Sequence, residues 1–230
     1  PEAIKYVRNQ TPELCKAVLT ENPSCLEHIR NQTYELCEMS VKSNGTNLRY
    51  VKNKTYELCY TAVECNGKAI QYVPDNLRTH GMYRLAVKDN GLALQFVPEE
   101  LKTYEMCTLA VEYDGLALKY VPEELKTPEL CIMAVENDAL ALQYVTEQTD
   151  QMCLDAVKQH GQALQHVKTQ TYEICLEAVK QDGYALRFVK FPTYEICITA
   201  IKEYKDAFRY VRRPYRNACK KFVKKHYGYL

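Results

Sequence analysis

Cysteine is the residue type in this chain whose number first suggests chemistry. The chain of 230 residues contains 11 cysteines, enough for several disulfides or for thiolate metal sites. Most of them recur once in each copy of a repeated motif: Cys15, Cys37, Cys59, Cys107, Cys131, Cys153, Cys175, Cys197 and Cys219. Packed helices lie roughly 8–10 Å apart, whereas a disulfide needs Cα atoms within about 7 Å. We therefore expect these thiols to fill a core in a reducing compartment.

Cys25 and Cys65 lie outside this register and are the candidates for individual reactivity, although packing is the simpler role for both. No copy offers a C-x-x-C motif or a pair of histidines, which are the spacings that hold zinc. The sequence therefore predicts no metal site and no cofactor.

Glutamate also recurs, in a pattern that could suggest acid–base catalysis. The recurring residues are Glu13, Glu35, Glu57, Glu105, Glu129, Glu173 and Glu195. A glutamate repeated at helix starts is better explained by the helix dipole, because catalytic groups are normally single and convergent. The chain has only three serines, shows no pair of nucleophile and base, and has no glycine-rich phosphate loop. We expect the protein not to be an enzyme.

Two recurring positions could instead contact a ligand. The first helical position carries a tyrosine that could stack bases, anchor a protein ligand, or simply cover the neighbouring turn. These residues are Tyr34, Tyr56, Tyr104, Tyr172 and Tyr194. The residue before the last aromatic of each copy varies and is a candidate contact: Glu27, Arg49, Gln71, Gln95, Lys119, Gln143, Gln165, Arg187 and Arg209.

Basic residues are concentrated near the C-terminal end, although the net charge of the whole chain is only +1. Between 98 and 147 the chain has 11 acidic and 3 basic residues. From 209 to 230 it has no acidic residue and eight basic ones: Arg209, Arg212, Arg213, Arg216, Lys220, Lys221, Lys224 and Lys225. This segment could be a solvated cap, or it could bind nucleic acid or an acidic patch of another molecule, including a second copy.

One short motif, repeated along almost the whole chain, must position all of these residues. The aliphatic residue that ends each copy recurs at intervals of 22 or 24 residues, as Val7, Ile29, Val51, Val73, Val97, Val121, Val145, Val167, Val189 and Val211. The longer intervals contain the segments VPDNLRT (73–79) and VPEELKT (97–103 and 121–127), which hold two extra residues. A fixed short period is the signature of a stacked array.

Each copy is predicted to be a helix–turn–helix hairpin. Thr171 suits an N-cap, and Glu173 suits the first turn of the helix that follows. The apolar stripe of this helix consists of Ile174, Cys175, Ala178 and Val179. A second, shorter helix follows, with a stripe of Ala185, Leu186, Phe188 and Val189.

A glycine separates the two predicted helices, and we expect it to end the first one in the left-handed conformation. Gly183 has this place in the copy above, and Gly45, Gly67, Gly91, Gly115 and Gly161 have it elsewhere. The departures are Pro23, Ala139 and Lys205.

One hairpin cannot be stable alone, because its few core side chains cannot offset the conformational entropy lost on ordering it. Neighbouring copies must bury the rest, so the predicted fold class is an all-α solenoid of tandem 22- and 24-residue helix-turn-helix repeats. We expect one array over 1–230, with an orphan second helix (1–10), nine full repeats (11–214) and a basic terminal helix (215–230). A leucine-rich repeat fits the period, but its alternating strand core is missing from the sequence.

Membrane and targeting signals are missing from the sequence as given. The longest apolar runs, such as LALQYV (140–145), fall far short of the roughly 20 residues that span a bilayer. No charged and apolar leader is visible. We expect no membrane partner and a cytoplasmic location.

The combination of TxExC, AV, NG, AL and YV resembles the short tandem repeats of unknown function found in proteins of amoeba-infecting giant viruses and of some intracellular bacteria of amoebae. The resemblance covers nearly the whole chain and is clearest in TYELCYTAVECNGKAIQYV (55–73) and TYEMCTLAVEYDGLALKYV (103–121). It is weaker in THGMYRLAVKDNGLALQFV (79–97), where Gly81 and Tyr83 replace Glu and Cys. The resemblance implies an interaction module in host or viral cytoplasm, or in a virion, and offers no catalytic residue.

These observations favour a non-catalytic scaffold that binds a protein partner, which the sequence does not identify. The alternatives are binding of nucleic acid or an acidic surface through the basic C-terminal end, and end-to-end self-association of the array.

Overall fold

Helices form almost the whole of the structure, a computed structural model that describes residues 2–228. They account for 76% of the chain, and no strand occurs within the described residues. The predicted all-α class is therefore confirmed, and a leucine-rich repeat, which needs a strand in every copy, is excluded. The chain forms two compact units, Pro1–Leu125 and Lys126–Leu230.

The α-helices of the two units are short and regularly spaced. In the first unit they are α1 (Pro12–Glu21), α2 (Tyr34–Ser43), α3 (Tyr56–Cys65), α4 (His80–Asp89) and α5 (Tyr104–Tyr113). In the second unit they are α6 (Pro128–Asn137), α7 (Asp150–Gln159), α8 (Tyr172–Gln181), α9 (Tyr194–Glu203) and α10 (Arg213–Tyr227). The predicted terminal helix thus begins two residues early, and Tyr229 and Leu230 lie outside the described residues.

Each helix from α1 to α9 is followed by a six-residue 3-10 helix, and the two together form one repeat. These 3-10 helices are, for repeats 1 to 9, Pro23–His28, Gly45–Tyr50, Gly67–Tyr72, Gly91–Phe96, Gly115–Tyr120, Ala139–Tyr144, Gly161–His166, Gly183–Phe188 and Lys205–Tyr210. The orphan second helix is a 3-10 helix over Glu2–Tyr6, and Pro1 lies outside the described residues. The second helix of each hairpin is therefore present as predicted. One continuous array over 1–230 stays a prediction.

A threonine begins each helix from α1 to α9, as the sequence predicts. The Thr171 hydroxyl accepts a hydrogen bond from the Ile174 N–H at 3.3 Å, and equivalent threonines do the same in the other eight helices. This bond satisfies one of the N–H groups that a helix leaves without a partner at its start. The N-cap residue of α10 is Arg212, whose side chain makes no such capping bond.

One residue between the two helices of a repeat caps both of them. The Asp182 N–H donates to the Ala178 carbonyl at 2.9 Å, and its carboxylate accepts from the Tyr184 N–H at 2.8 Å. An asparagine, aspartate or histidine caps the 3-10 helix in this way in repeats 1 to 8. In repeat 9 the residue is Tyr204, whose side chain makes no capping bond. The chain turns here through extended backbone, with φ −144° at Asp182.

The expectation that glycine ends each α-helix in the left-handed conformation is wrong, because Gly228 is the only described residue with a positive φ. Glycine is needed for a different reason, the close approach of the next repeat. A Cβ on Gly161 or Gly183 would lie 2.5 Å from the carbonyl oxygen of Ala178 or Ala200, respectively. Gly45, Gly67 and Gly91 of the first unit lie equally close to the α-helix that follows.

The repeated apolar residues form the core of each unit. The predicted stripes of repeat 8 are buried, except that Phe188 is half-buried. Helices α2 to α5 in the first unit, and α7 to α10 in the second, each contact the 3-10 helix of the preceding repeat. Each repeat therefore completes the core of its neighbour, as expected for units that cannot be stable alone.

A glutamine in the connecting loop joins successive repeats. The Gln170 amide donates to the carbonyls of Leu164 at 3.3 Å and Phe188 at 3.0 Å, and its oxygen accepts from the Lys190 N–H at 2.9 Å. One side chain thereby satisfies three backbone groups that belong to two repeats. Gln10, Gln32 and Gln148 make the equivalent bonds.

The 24-residue repeats have a cation in place of this glutamine. Arg78 donates from Nε to the Val73 carbonyl at 2.9 Å and forms an ion pair with Asp75 at 2.9 Å. Lys102 pairs in the same way with Glu99 at 2.8 Å. Both acidic partners lie in short 3-10 turns, Asp75–Leu77 and Glu99–Leu101. The third 24-residue interval has the equivalent turn Glu123–Leu125, and these three turns contain the extra residues.

We expect Gly161→Ala to destabilise the second unit by about 1–3 kcal/mol, the usual cost of overpacking a tight contact. The added methyl would meet the Ala178 carbonyl of α8, so the whole of α8 would have to shift. Repeat 6 already has an alanine, Ala139, at the equivalent position. Urea unfolding followed by circular dichroism measures the change. The control is Gly81→Ala in α4, whose Cβ would find only Thr79 Oγ1, 3.9 Å away. It should be neutral or stabilising by up to about 1 kcal/mol, and an equally stable Gly161→Ala variant would contradict the contact.

We expect Gln170→Ala to cost about 1–3 kcal/mol, because it leaves half-buried backbone groups of two repeats without partners. Gln165→Ala is the matched control, since Gln165 is exposed and belongs to the preceding 3-10 helix. The control should change the free energy of unfolding by less than about 0.5 kcal/mol. Equal unfolding midpoints for the two variants in urea would show that the glutamine does not join the repeats.

Candidate functional site

The eight basic residues near the C-terminal end are all exposed. Six of them lie on α10, while Arg212 is its N-cap residue and Arg209 belongs to the 3-10 helix of repeat 9. Cys219 and Val223 are the buried residues of α10, which contacts α9. The structure therefore brings the predicted basic residues together on one helix and the segment that leads into it.

These cations are not neutralised within the described part of the chain, where none of the eight forms an ion pair. Arg212 donates to the Lys190 carbonyl at 3.1 Å and Arg216 to the Val211 carbonyl at 3.3 Å. Lys220 and Lys224 stand four residues apart on the helix, as do Lys221 and Lys225, and such like-charge pairs destabilise a helix by a few tenths of a kcal/mol each. An anionic partner would relieve this repulsion.

The arginines of this region stack on aromatic rings. Arg209 lies over the ring of Tyr210, with its Cζ 5.0 Å from the centroid, and Arg216 lies over Phe208 at 5.3 Å. One repeat back, Arg187 lies over Phe188 at 4.4 Å. Stacking holds the guanidinium plane in place and leaves its N–H edges directed to the sides of the ring.

A cleft of about 510 Å³ lies beside the basic residues. Its walls are Lys205, Asp206, Phe208, Arg209, Arg216 and Val223. The sequence pointed to Arg209 and Arg216 as contacts, but not to the other four. A signal was present, since Lys205 stands where six of the other repeats have glycine, but the effect of that change depends on the distance between two helices.

The variable position of each repeat is exposed in all nine copies, from Glu27 to Arg209. It is the fifth residue of the 3-10 helix, and the fourth residue beside it is buried in repeats 1 to 8. The variable side chains therefore lie on the surface while the residues next to them hold the repeats together.

The recurring tyrosines lie partly on the surface, with 43% to 49% of each residue exposed. Tyr172 forms a hydrogen bond with Glu195 of the next repeat, and this bond is the main cause of a raised pKa for its hydroxyl. The predicted partial exposure of these tyrosines is therefore present, while their role in binding or in packing stays a prediction.

The regular cysteines are buried free thiols. Burial raises the pKa of Cys153 and of Cys175 to about 11, and the pKa of Cys197 to about 12, where the neighbouring Cys219 adds to the effect. Of the two irregular cysteines, Cys25 is buried and Cys65 is exposed. Cys65 is therefore the accessible thiol of the chain.

Residues 2–228 contain neither a candidate metal cluster nor a helix that could span a membrane. No group of three or more His, Cys, Asp or Glu side chains in that range could hold a metal ion. None of the helices there has both the length and the apolarity needed to cross a membrane.

Comparison with known families gives one match. The model of the family described as Domain of unknown function (DUF4116) matches residues 55–102, 81–126, 103–149 and 149–193. Each match covers two successive repeats, and together they span 55–193, which is more than half of the 230 residues. No curated protein and no solved structure matches the chain.

We expect the folded protein to react with one equivalent of 5,5′-dithiobis(2-nitrobenzoate), at Cys65, and with the other ten cysteines only after unfolding in urea. Partial burial of the Cys65 thiol, and then the negative charge of Glu64, raise the pKa of Cys65. Because the thiolate is the reactive form, the rate of the reaction should keep rising with pH beyond the ordinary pKa of a cysteine. Cys65→Ser should remove the reaction of the folded protein. Several fast equivalents in that variant would show that the repeats open readily.

Proposed function

Because the chain belongs to the DUF4116 family, whose description assigns no function, we propose that it is a non-catalytic scaffold that binds a protein partner through its exposed, variable side chains. The repeats supply a rigid support, and the residues that differ between them supply the specificity.

The observation that carries this proposal is the contrast between neighbouring positions of the 3-10 helices. The fourth residue is buried and is a leucine or isoleucine in repeats 1 to 8. The fifth is exposed in every repeat and is Glu, Arg, Gln or Lys. Substitutions at the fifth position change the surface while the core stays as it is, which is how repeat proteins acquire binding specificity.

The non-catalytic part of the proposal rests on how the reactive residue types are distributed. The recurring glutamates stand at the starts of different helices, where the dipole favours a negative charge. The regular thiols are buried at equivalent positions in successive repeats, and burial raises the pKa of Cys153, Cys175 and Cys197. Neither arrangement resembles the single convergent cluster of an active site.

We place the scaffold in the cytoplasm of a host cell, or in a virion if the protein is viral. The resemblance to repeats of amoeba-infecting giant viruses and of bacteria of amoebae supports this location. The many free thiols support it as well, because a reducing compartment preserves them.

Two alternatives use the C-terminal end. The exposed cations of α10 could bind the phosphates of a nucleic acid, in which case affinity should fall steeply with salt. They could also attract the acidic stretch between 98 and 147 of a second copy, in which case the mass in solution should rise with concentration. The uncompensated charge of α10 is the observation that favours both.

The test is capture of proteins from an amoeba lysate by three forms of the chain. One variant has serine at the fifth position of repeats 2 to 4, in place of Arg49, Gln71 and Gln95. The matched control has serine in the last turn of the α-helix of the same repeats. There it replaces Lys42, Glu64 and Lys88, which are also exposed. We expect both variants to fold with nearly unchanged stability, since surface changes cost less than about 0.5 kcal/mol each.

The first variant should lose proteins that the natural chain and the control variant both retain. Identical sets of captured proteins for all three forms would refute binding through the variable positions of these repeats. Proteins lost equally from both variants would point to general electrostatic attraction rather than to the variable fifth positions.

A further inference from the structure

The junction between repeat 9 and α10 departs from the pattern of glycine against alanine that most of the other repeats share. Gly183 lets the 3-10 helix of repeat 8 lie against Ala200 of α9. One period later both small residues are gone, since Lys205 stands in place of the glycine and Phe222 in place of the alanine. A lysine cannot approach a helix as closely as a glycine. The 3-10 helix of repeat 9 accordingly packs less closely against α10 than the 3-10 helix of repeat 8 packs against α9.

The cleft of about 510 Å³ described above lies at this junction. In repeats 1 to 8 the fourth residue of the 3-10 helix is a buried leucine or isoleucine, whereas Phe208 in repeat 9 is only half-buried. Phe208 and Val223 form the apolar part of the cleft wall. The wider junction thus uncovers apolar surface that the other repeats hide, in a volume typical of ligand sites.

The remaining walls are mainly cationic. Three cations, Lys205, Arg209 and Arg216, line the cleft together with one carboxylate, Asp206. Arg209 contacts the Tyr210 ring, and within the described residues it makes no hydrogen bond and no ion pair. Arg216 lies over Phe208 and donates to the Val211 carbonyl. Two ring-stacked guanidinium groups therefore border an apolar surface, and a guanidinium group can bind a carboxylate with two parallel hydrogen bonds.

We propose that this cleft binds an acidic segment of a partner protein, with an apolar side chain of the segment on Phe208 and Val223 and its carboxylates on Arg209 and Arg216. This inference rests on the proposed function and gives it one specific site. A nucleic acid fits less well, because the arginines cover one face of the Phe208 and Tyr210 rings, on which bases would stack. The apolar wall offers nothing to a phosphate backbone.

The probe is a short fluorescein-labelled peptide of Glu and Asp residues around one central Leu, and binding to the full chain is measured by fluorescence anisotropy. We expect Arg209→Glu to weaken binding by about tenfold or more, since it places a carboxylate opposite those of the peptide. Arg187→Glu is the matched control, with the same change of charge at the equivalent position of repeat 8 and outside the cleft. It should change the dissociation constant by less than about twofold, as expected for a charge outside the contact.

A second peptide, with Ser in place of the central Leu, tests the apolar wall. It should bind at least about fivefold more weakly, because one buried aliphatic side chain contributes more than 1 kcal/mol. Arg209 is exposed, so Arg209→Glu should fold normally, which circular dichroism and the urea midpoint verify.

Several results would overturn the proposal. Equal loss in Arg187→Glu and Arg209→Glu would show general charge attraction, and equal binding of the Leu and Ser peptides would remove the apolar wall from the site. Tighter, Arg209-dependent binding of a DNA duplex would assign the site to nucleic acid. Self-association that the peptide does not displace and that Arg209→Glu abolishes would assign it to a second copy. No binding of the peptide refutes the cleft, while lysate capture through the variable positions would still support the scaffold.

Discussion

The close contact between a 3-10 helix and the next α-helix is the constraint on which the rest of each unit depends. Gly161 and Ala178 show it in its usual form, because the missing side chain of one residue admits the backbone of the other. That contact sets the distance between repeats. At this distance Gln170 reaches carbonyls of two repeats at once, and the apolar stripes of adjacent helices meet in one core. A larger distance between the repeats would break the hydrogen bonds of Gln170 and at the same time open the core.

A contact of this kind restricts few residues and leaves many free. The small residues, the capping residue before them, the bridging glutamine and the buried stripe are set by the stacking of the repeats. The fifth residue of the 3-10 helix is not, since it is exposed and its contacts differ between repeats: Arg187 lies over Phe188 and donates to Gln162, whereas Gln143 donates to the Leu140 carbonyl. Where the residue is a cation, the aromatic ring beside it holds it in place without restricting its identity. In the proposed scaffold, stability and binding thereby depend on different positions of the same short element.

The sequence predicts the α-helices well because their signals are local. Thr171 and Ile174 are three residues apart, and the apolar stripe of α8 can be read within one helix. It does not show that the second element is a 3-10 helix, since a run of six residues has too few turns for its period to distinguish the two. It also misleads about Gly183, because a glycine after a helix is usually a left-handed cap, while the actual reason lies 17 residues away at Ala200. The bridging role of Gln170 was hidden for the same reason, since one of its partners, Phe188, is 18 residues away.

The candidate site depends still more on distant contacts, which explains why the sequence indicated its charge but not its shape. The basic composition of 209–225 can be read directly. The cleft instead lies where Lys205 and Phe222 replace a glycine and an alanine that touch each other one repeat earlier, at Gly183 and Ala200. Three further rules fail at the same junction: Tyr204 does not cap its 3-10 helix, Arg212 does not cap α10, and Phe208 is not fully buried. Proteins tend to depart from their own local rules where function requires it. Five departures at one junction, beside a set of cations without ion pairs in the described residues, are the reason why the proposed binding site is assigned to this junction and not to one of the regular ones.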